Sequence, residues 1–245
     1  MNIDLRFGCY NHTVTWGIGP VVTPNPVAVI KLWPCVPDQV RGYYQYNGTN
    51  FVPVPKPNQY KRIALIIESP HKAEFDANFC PIAPLNGTSG ARFAKNILAK
   101  LHTWFTTGTI NNDDCFEVYI MNPVQYQTSL YHFLNDMISW NPSGNTTQYE
   151  KIDHSLRNDV WKFLFDTCWL KHEFLYRLIC YNPAYIINCC TGGNNAIYNT
   201  FRPINQIRCC GTSLKSCVKN EIVNGFKKER PNVYYLQHKH PISWP

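Results

Sequence analysis

The stretch RIALIIESP, Arg62 to Pro70, decides how this chain is read. Ile63 to Ile67 is an unbroken apolar run, rich in β-branched residues and too short for a typical helix. A strand with one wet face would alternate, so this run points to a strand buried on both faces, as in a parallel sheet. Pro70 lacks a backbone N–H and ends it. Working outward, GTSGARFAKNILAKLHTWF places Phe93, Ile97 and Leu101 four residues apart, with Ser89 as a helix N-cap. FEVYIMN (116–122) reads as a second strand, and helical periodicity runs from Leu156 to Cys180. AYIINCC (184–190) is a third strand, closed by Thr191-Gly192-Gly193 and followed by a short helix over 195–201. VYYLQH (233–238) is the fourth. Strands alternating with helices predict a three-layer α/β/α sandwich around a central four-stranded parallel sheet.

Residues 1–60 differ from the rest. Eight prolines fall between Pro20 and Pro57, interleaved with Trp33, Tyr43, Tyr44 and Phe51. Proline disfavours helices and interior strands, so this part is expected to be irregular with short edge strands. It reads as an extension packed on an α/β domain spanning 61–245. The whole chain has 245 residues, 44% hydrophobic and 14% aromatic, which excludes a disordered tail or a coiled coil. No apolar run approaches the roughly 18 residues of a membrane span, and the first residues lack a signal-peptide layout. The expectation is a cytoplasmic protein. Eleven cysteines form no C-x-x-C pair, which favours reduced structural thiols over a metal framework.

Ligands of open α/β sheets bind beyond the carboxyl ends of the strands. Those ends carry Glu68-Ser69-Pro70-His71, Asn122-Pro123, Thr191-Gly192-Gly193 and His238-Lys239-His240-Pro241. Each alone is an ordinary polar strand end; together they bring a carboxylate, an amide and an imidazole to one edge.

These segments resemble motifs of the uracil-DNA glycosylase superfamily. IESPHKAE (67–74) is similar to the first motif of its thermophile-type branch, with Glu68, Pro70 and Glu74 in register. PLNGTSG (84–90) stands where that branch has Pro-Phe-x-Gly-x-Ser-Gly. VYIMNPV (118–124) is similar to the second-strand motif, and His240-Pro241-Ile242-Ser243 to the final one. The resemblance implies a glycosylase fold over residues 62–245 and hydrolysis of an N-glycosidic bond in DNA. In it Glu68 stabilises the oxocarbenium ion and orients water, and His240 supports charge on the departing base. Asn122 reads the pyrimidine edge, with His71 and Leu85 beside the base and Glu74 in support. A base inside a duplex is out of reach, so the nucleotide must be flipped out. Trp244 is then either a wedge filling the gap or a buried anchor. Thr88 and Ser89 at the helix start, with Lys239 and Ser243 near His240, would meet phosphates. Residues 201–245 hold eight Lys or Arg against Glu221 and Glu229, a net +6 of the chain's +7. That placement suits a DNA partner, the alternative being a solvated basic face.

Departures from the family pattern bear on the substrate. Leu85 replaces the base-stacking Phe, His71 replaces a Tyr that excludes 5-methyl groups, and the intervening loop is longer. These favour a bulky modified base, with glucosylated hydroxymethylcytosine of phage DNA as the leading expectation. Ordinary uracil repair and a catalytically inactive DNA binder are the alternatives. Tyr126 stands where the thermophile branch has a cluster cysteine, so no iron–sulfur cluster, metal or other cofactor is expected. The protein is expected to act as a monomer.

Overall fold

A computed structural model describes residues 2–7, 10–15, 27–31, 35–78, 80–105, 110–126, 128, 157–158, 160–166, 170–191 and 201–245. The run around Arg62 forms strand β6 (Lys61–Ile66) at the centre of the main sheet. The other strands of this sheet are β4 (Gln39–Tyr46), β5 (Phe51–Val54), β7 (Cys115–Met121), β8 (Tyr185–Asn188), β9 (Arg202–Pro203) and β10 (Tyr234–Gln237). Their order is β5-β4-β7-β6-β8-β10-β9. Strands β7, β6, β8 and β10 run parallel, whereas β4, β5 and β9 join antiparallel.

The expected four-stranded parallel sheet is therefore corrected to a seven-stranded mixed one. The four strands read from apolar runs form its middle. The additions come from segments whose proline content disguised them. Pro53 lies in β5, an outermost strand, opposite Tyr44, where a missing N–H need not interrupt a ladder. Pro203 lies in β9 at the opposite edge. The N-terminal sixty residues thus supply two strands of the main sheet. They also form a separate three-stranded sheet from β1 (Asn2–Phe7), β2 (Tyr10–Thr15) and β3 (Val27–Lys31), in the order β2-β1-β3.

Successive residues of β6 face opposite sides, and each side has its own core. Ile63, Leu65 and Ile67 pack with Phe93, Ile97, Leu101 and Trp104 of α1 (Gly87–Phe105). Ala64 and Ile66 face Trp161 and Leu164, Phe174 and Leu178 of α2 (Leu170–Tyr181), and Val218, Ile222 and Phe226 of α3 (Leu214–Glu229). Helix α1 starts at Gly87, ahead of the expected cap at Ser89. Helix α3 lies outside the helices expected from the sequence, although Leu214, Val218, Ile222 and Phe226 recur every four residues behind Ser213. The Ser213 side chain caps it, accepting from the Ser216 N–H at 3.2 Å. The helix expected over 195–201 lies almost wholly outside the described residues.

One close approach fixes the loop between β6 and α1. Leu85 adopts a left-handed conformation (φ 53°), unusual for a residue with a Cβ. Its carbonyl is driven against the first turn of α1, where a Cβ at Gly90 would lie 1.7 Å from the Leu85 oxygen. Because the obstructing atom is backbone, a side chain at residue 90 must displace the turn. Gly90→Ala is expected to cost about 2–4 kcal/mol, read as a lowered urea midpoint. A midpoint within error of wild type would show that the loop yields freely.

Candidate functional site

The register places Ile66, Met121, Asn188 and Gln237 level with one another across β6, β7, β8 and β10. The residues just beyond them therefore meet at one edge. The chain also reverses direction across the sheet there. From β6 it crosses to β7 on one side, and it later returns to β8 on the other. Such switch points open a crevice between neighbouring strand ends.

Glu68 follows β6 at this edge and is 4% exposed. Its Oε2 accepts from the Thr191 backbone N–H at 3.0 Å. Its Oε1 pairs with Arg157 Nη2 at 3.0 Å. Its own carbonyl accepts from Trp161 Nε1 at 3.0 Å. The carboxylate is thus held from two directions, and Arg157 offsets the cost of burying it. Arg157 was not anticipated: a single arginine at the start of a helical segment carries no motif.

Asn122 follows β7 and is 1% exposed. Its backbone is gripped on both sides. The N–H donates to Asp38 Oδ1 at 3.3 Å, and the carbonyl accepts from Arg177 Nη2 at 3.0 Å. Arg177 and Asp38 form an ion pair with each other, and Gln125 Nε2 adds a hydrogen bond to Asp38 at 3.1 Å. The side chain is buried too: Oδ1 and Nδ2 make no close hydrogen bond, and the amide faces the Glu74 carboxyl, whose charged form it favours. Buried amides are ordinarily satisfied, and here the neighbouring polar group is the Glu74 carboxyl. Asp38, in the proline-rich segment, and Arg177, on α2, were likewise not anticipated.

Glu74 is 2% exposed. Its Oε1 accepts from the Leu85 N–H at 3.1 Å, while Oε2 has no hydrogen-bond partner. Burial pushes its pKa up to about 8. The Leu85 and His71 N–H groups, the nearby Asn122 amide and Arg41 only partly oppose this. Glu74 is consequently a neutral acid at pH 7. His71 is exposed, and its carbonyl accepts from the Glu74 N–H at 2.8 Å.

His240 caps the short turn Pro241–Ser243, its Nδ1 accepting from the Ile242 N–H at 3.2 Å. That bond places the ring proton on Nε2. Burial, then the charges of Arg157 and Lys215, depress its pKa to about 4, so the ring is neutral at physiological pH. Helix α1 clamps this terminal segment: Arg92 donates to the Ile242 carbonyl, and Asn96 Nδ2 to the Pro245 carbonyl at 2.6 Å.

The structure thus gathers Glu68, His71, Glu74, Asn122 and His240 at one edge. Thr88 and Ser89 lie in the first turn of α1, and Lys239 and Ser243 are exposed beside His240. Two expected contacts are corrected. Leu85 is 1% exposed and belongs to the apolar core, so it offers no platform for a base. Trp244 is also 1% exposed, stacked on Phe93 with its Nε1 donating to the Lys239 carbonyl at 3.0 Å. It is a buried anchor and not an exposed wedge. The basic C-terminal stretch is also thinner than its composition suggests. Lys215 and Lys219 are buried, and Lys215 donates to the His238 carbonyl at 2.7 Å. Among the described residues, no group of three or more His, Cys, Asp or Glu could hold a metal ion. Nor is any described helix long and apolar enough to cross a membrane.

Comparison of the chain with protein-family models, curated proteins and solved structures returned no match. With the seven-stranded mixed sheet, this overturns the resemblance to the uracil-DNA glycosylase superfamily. Short strand-end motifs built from Glu, Asn, His and Pro recur wherever polar turns end apolar strands, so they did not establish kinship.

Glu74 yields a prediction that needs no assumed activity. In the unfolded chain its proton leaves near the ordinary 4.5, but in the folded chain only near 8. Between those values the folded state binds the extra proton, so stability falls as pH rises and levels off above 8. Glu74→Gln removes this dependence. Its stability relative to wild type should rise by up to about 1.4 kcal/mol per pH unit between pH 5 and 8. Urea titrations at pH 5.5, 7.0 and 8.5 measure it, and parallel curves for the two proteins would reject a buried neutral Glu74.

Proposed function

We propose that this protein hydrolyses the N-glycosidic bond of a pyrimidine nucleotide turned out of DNA. The observation that carries the reading is the buried amide of Asn122, which makes no close hydrogen bond and faces Glu74, set at the same strand-end edge as a fixed carboxylate and a neutral imidazole. An amide offers one acceptor and two donors, which suits the polar edge of a pyrimidine ring. Cleavage transfers the glycosidic electron pair to the base, leaving oxocarbenium character at C1′. The Glu68 carboxylate, already positioned by Arg157 and Thr191, stabilises that positive charge without reorganising. His240 Nε2–H donates to the pyrimidine oxygen on which negative charge collects. Water then adds at C1′ and gives up a proton, and the products are the free base and an abasic site.

Neutral His240 serves this role better than a charged ring. It strengthens its hydrogen bond as charge develops and leaves no imidazolium to desolvate. Neutral Glu74 keeps a second negative charge away from Asn122, where it would repel a base carbonyl. With Leu85 withdrawn into the core, that position sets no aromatic wall over the ring. This agrees with a base carrying a bulky 5-substituent, and glucosylated hydroxymethylcytosine is the first such base to try.

The test is base release from uracil-containing duplex and from glucosylated phage DNA, scored as alkali-labile breaks. Breaks in either substrate support the reading and identify the base; intact strands in both overturn it. Glu68→Gln and Asn122→Ala are each expected to lower release at least about 100-fold. Asn122→Ala should keep or slightly raise stability, within about 1 kcal/mol, because it removes buried polar atoms that make no close hydrogen bond. Release unchanged by both substitutions would remove these residues from the reaction.

A further inference from the structure

The loop between β9 and α3 holds adjacent cysteines in opposite chemical settings. Cys209 and Cys210 are both exposed. The Cys209 sulfur faces oxygen acceptors, Asn224 Oδ1 at 3.4 Å and the Asn220 carbonyl at 3.9 Å. Those contacts use its S–H as a donor and tie up the thiol proton. The Cys210 sulfur faces a donor instead, Lys219 Nζ at 3.2 Å. Lys219 is 3% exposed. Among the described residues, no carboxylate lies within ion-pair distance of it, and the Cys210 sulfur is its hydrogen-bond partner. A buried ammonium needs compensating negative charge. The atom placed beside it is the sulfur of an exposed residue. Asn220 holds the arrangement in place, its Oδ1 accepting from the Cys210 N–H at 3.1 Å and its Nδ2 donating to the Gly211 carbonyl at 3.4 Å.

From this geometry we propose that Cys210 is a nucleophilic modification site for soft carbon electrophiles, with Lys219 as its activating cation. In the reaction with a haloacetamide, a sulfur lone pair forms the S–C bond and the halide leaves with the C–halogen electrons. The thiol proton passes to solvent, and Lys219 stays protonated throughout. Its positive charge stabilises the electron-rich sulfur as it attacks. Cys209, one residue away and also exposed, provides the internal control. This site is independent of the strand-end cluster and of any activity proposed there.

The experiment is limited labelling of the native chain with iodoacetamide at pH 7, quantified residue by residue by tandem mass spectrometry. Cys210 is expected to react about tenfold faster than Cys209. Lys219→Met should bring the two rates together, whereas Lys219→Arg, which keeps the cation, should preserve the difference. Equal rates in the native protein overturn the proposal, as does an undiminished Cys210 rate in a folded Lys219→Met variant. Circular dichroism establishes folding. If Lys219→Met unfolds, the native ratio decides alone, with a several-fold excess at Cys210 supporting the assignment and a ratio near one refuting it.

Discussion

The Asp38–Arg177 ion pair is the constraint on which the strand-end cluster depends. It ties the loop ahead of β4 to helix α2, and between them it grips both backbone polar groups of Asn122. Fixing the N–H and the carbonyl sets the position of the Cα–Cβ bond, so the side chain starts from the strand-end edge. The amide is buried there beside the Glu74 carboxyl. Removing one member of the pair would leave a buried charge uncompensated and release that peptide. Both partners lie mostly out of water, which also protects their attraction from screening by salt.

The same principle recurs around the cluster: polar groups are immobilised by contacts from several directions. Glu68 is held by Arg157 and by the Thr191 N–H. His240 spends its Nδ1 on a turn of its own segment, and that turn is clamped by α1. Glu74 is anchored through one oxygen and kept neutral by burial. Preorganisation of this kind costs folding stability and is found where a site must meet a ligand without rearranging. The Cys210–Lys219 pair follows a related logic, since a buried cation there is partnered by the sulfur of an exposed residue.

Much of the cluster was legible in the chain because parallel strands announce their ends. An apolar run such as Ile63–Ile67 has to stop where the sheet stops, and whatever follows stands at the edge. Reading those four ends located Glu68, Asn122 and His240 without knowledge of the strand order. The supporting residues were not legible. Asp38, Arg157 and Arg177 occur in no pattern, and each meets its partners in the cluster across at least 55 residues of chain. Leu85 and Trp244 were misplaced for the same reason. A large apolar residue in a polar neighbourhood reads as available until the packing that consumes it is known.

What the sequence determined by itself was local. Unbroken apolar runs specified the four parallel strands, four-residue spacing specified α1, and the polar strand ends specified which chemistry sits at the edge. Tertiary structure decided that three further strands extend the sheet and that proline-bearing segments form two of its margins. It also decided that half-hidden partners lock each polar group in place. The division has a physical cause. Backbone geometry and hydrophobic periodicity act over a few residues and leave a trace in the order of amino acids. Edge pairing, ion pairs and burial depend on which distant segments come together, and a charge or a proline carries no mark of its eventual neighbour.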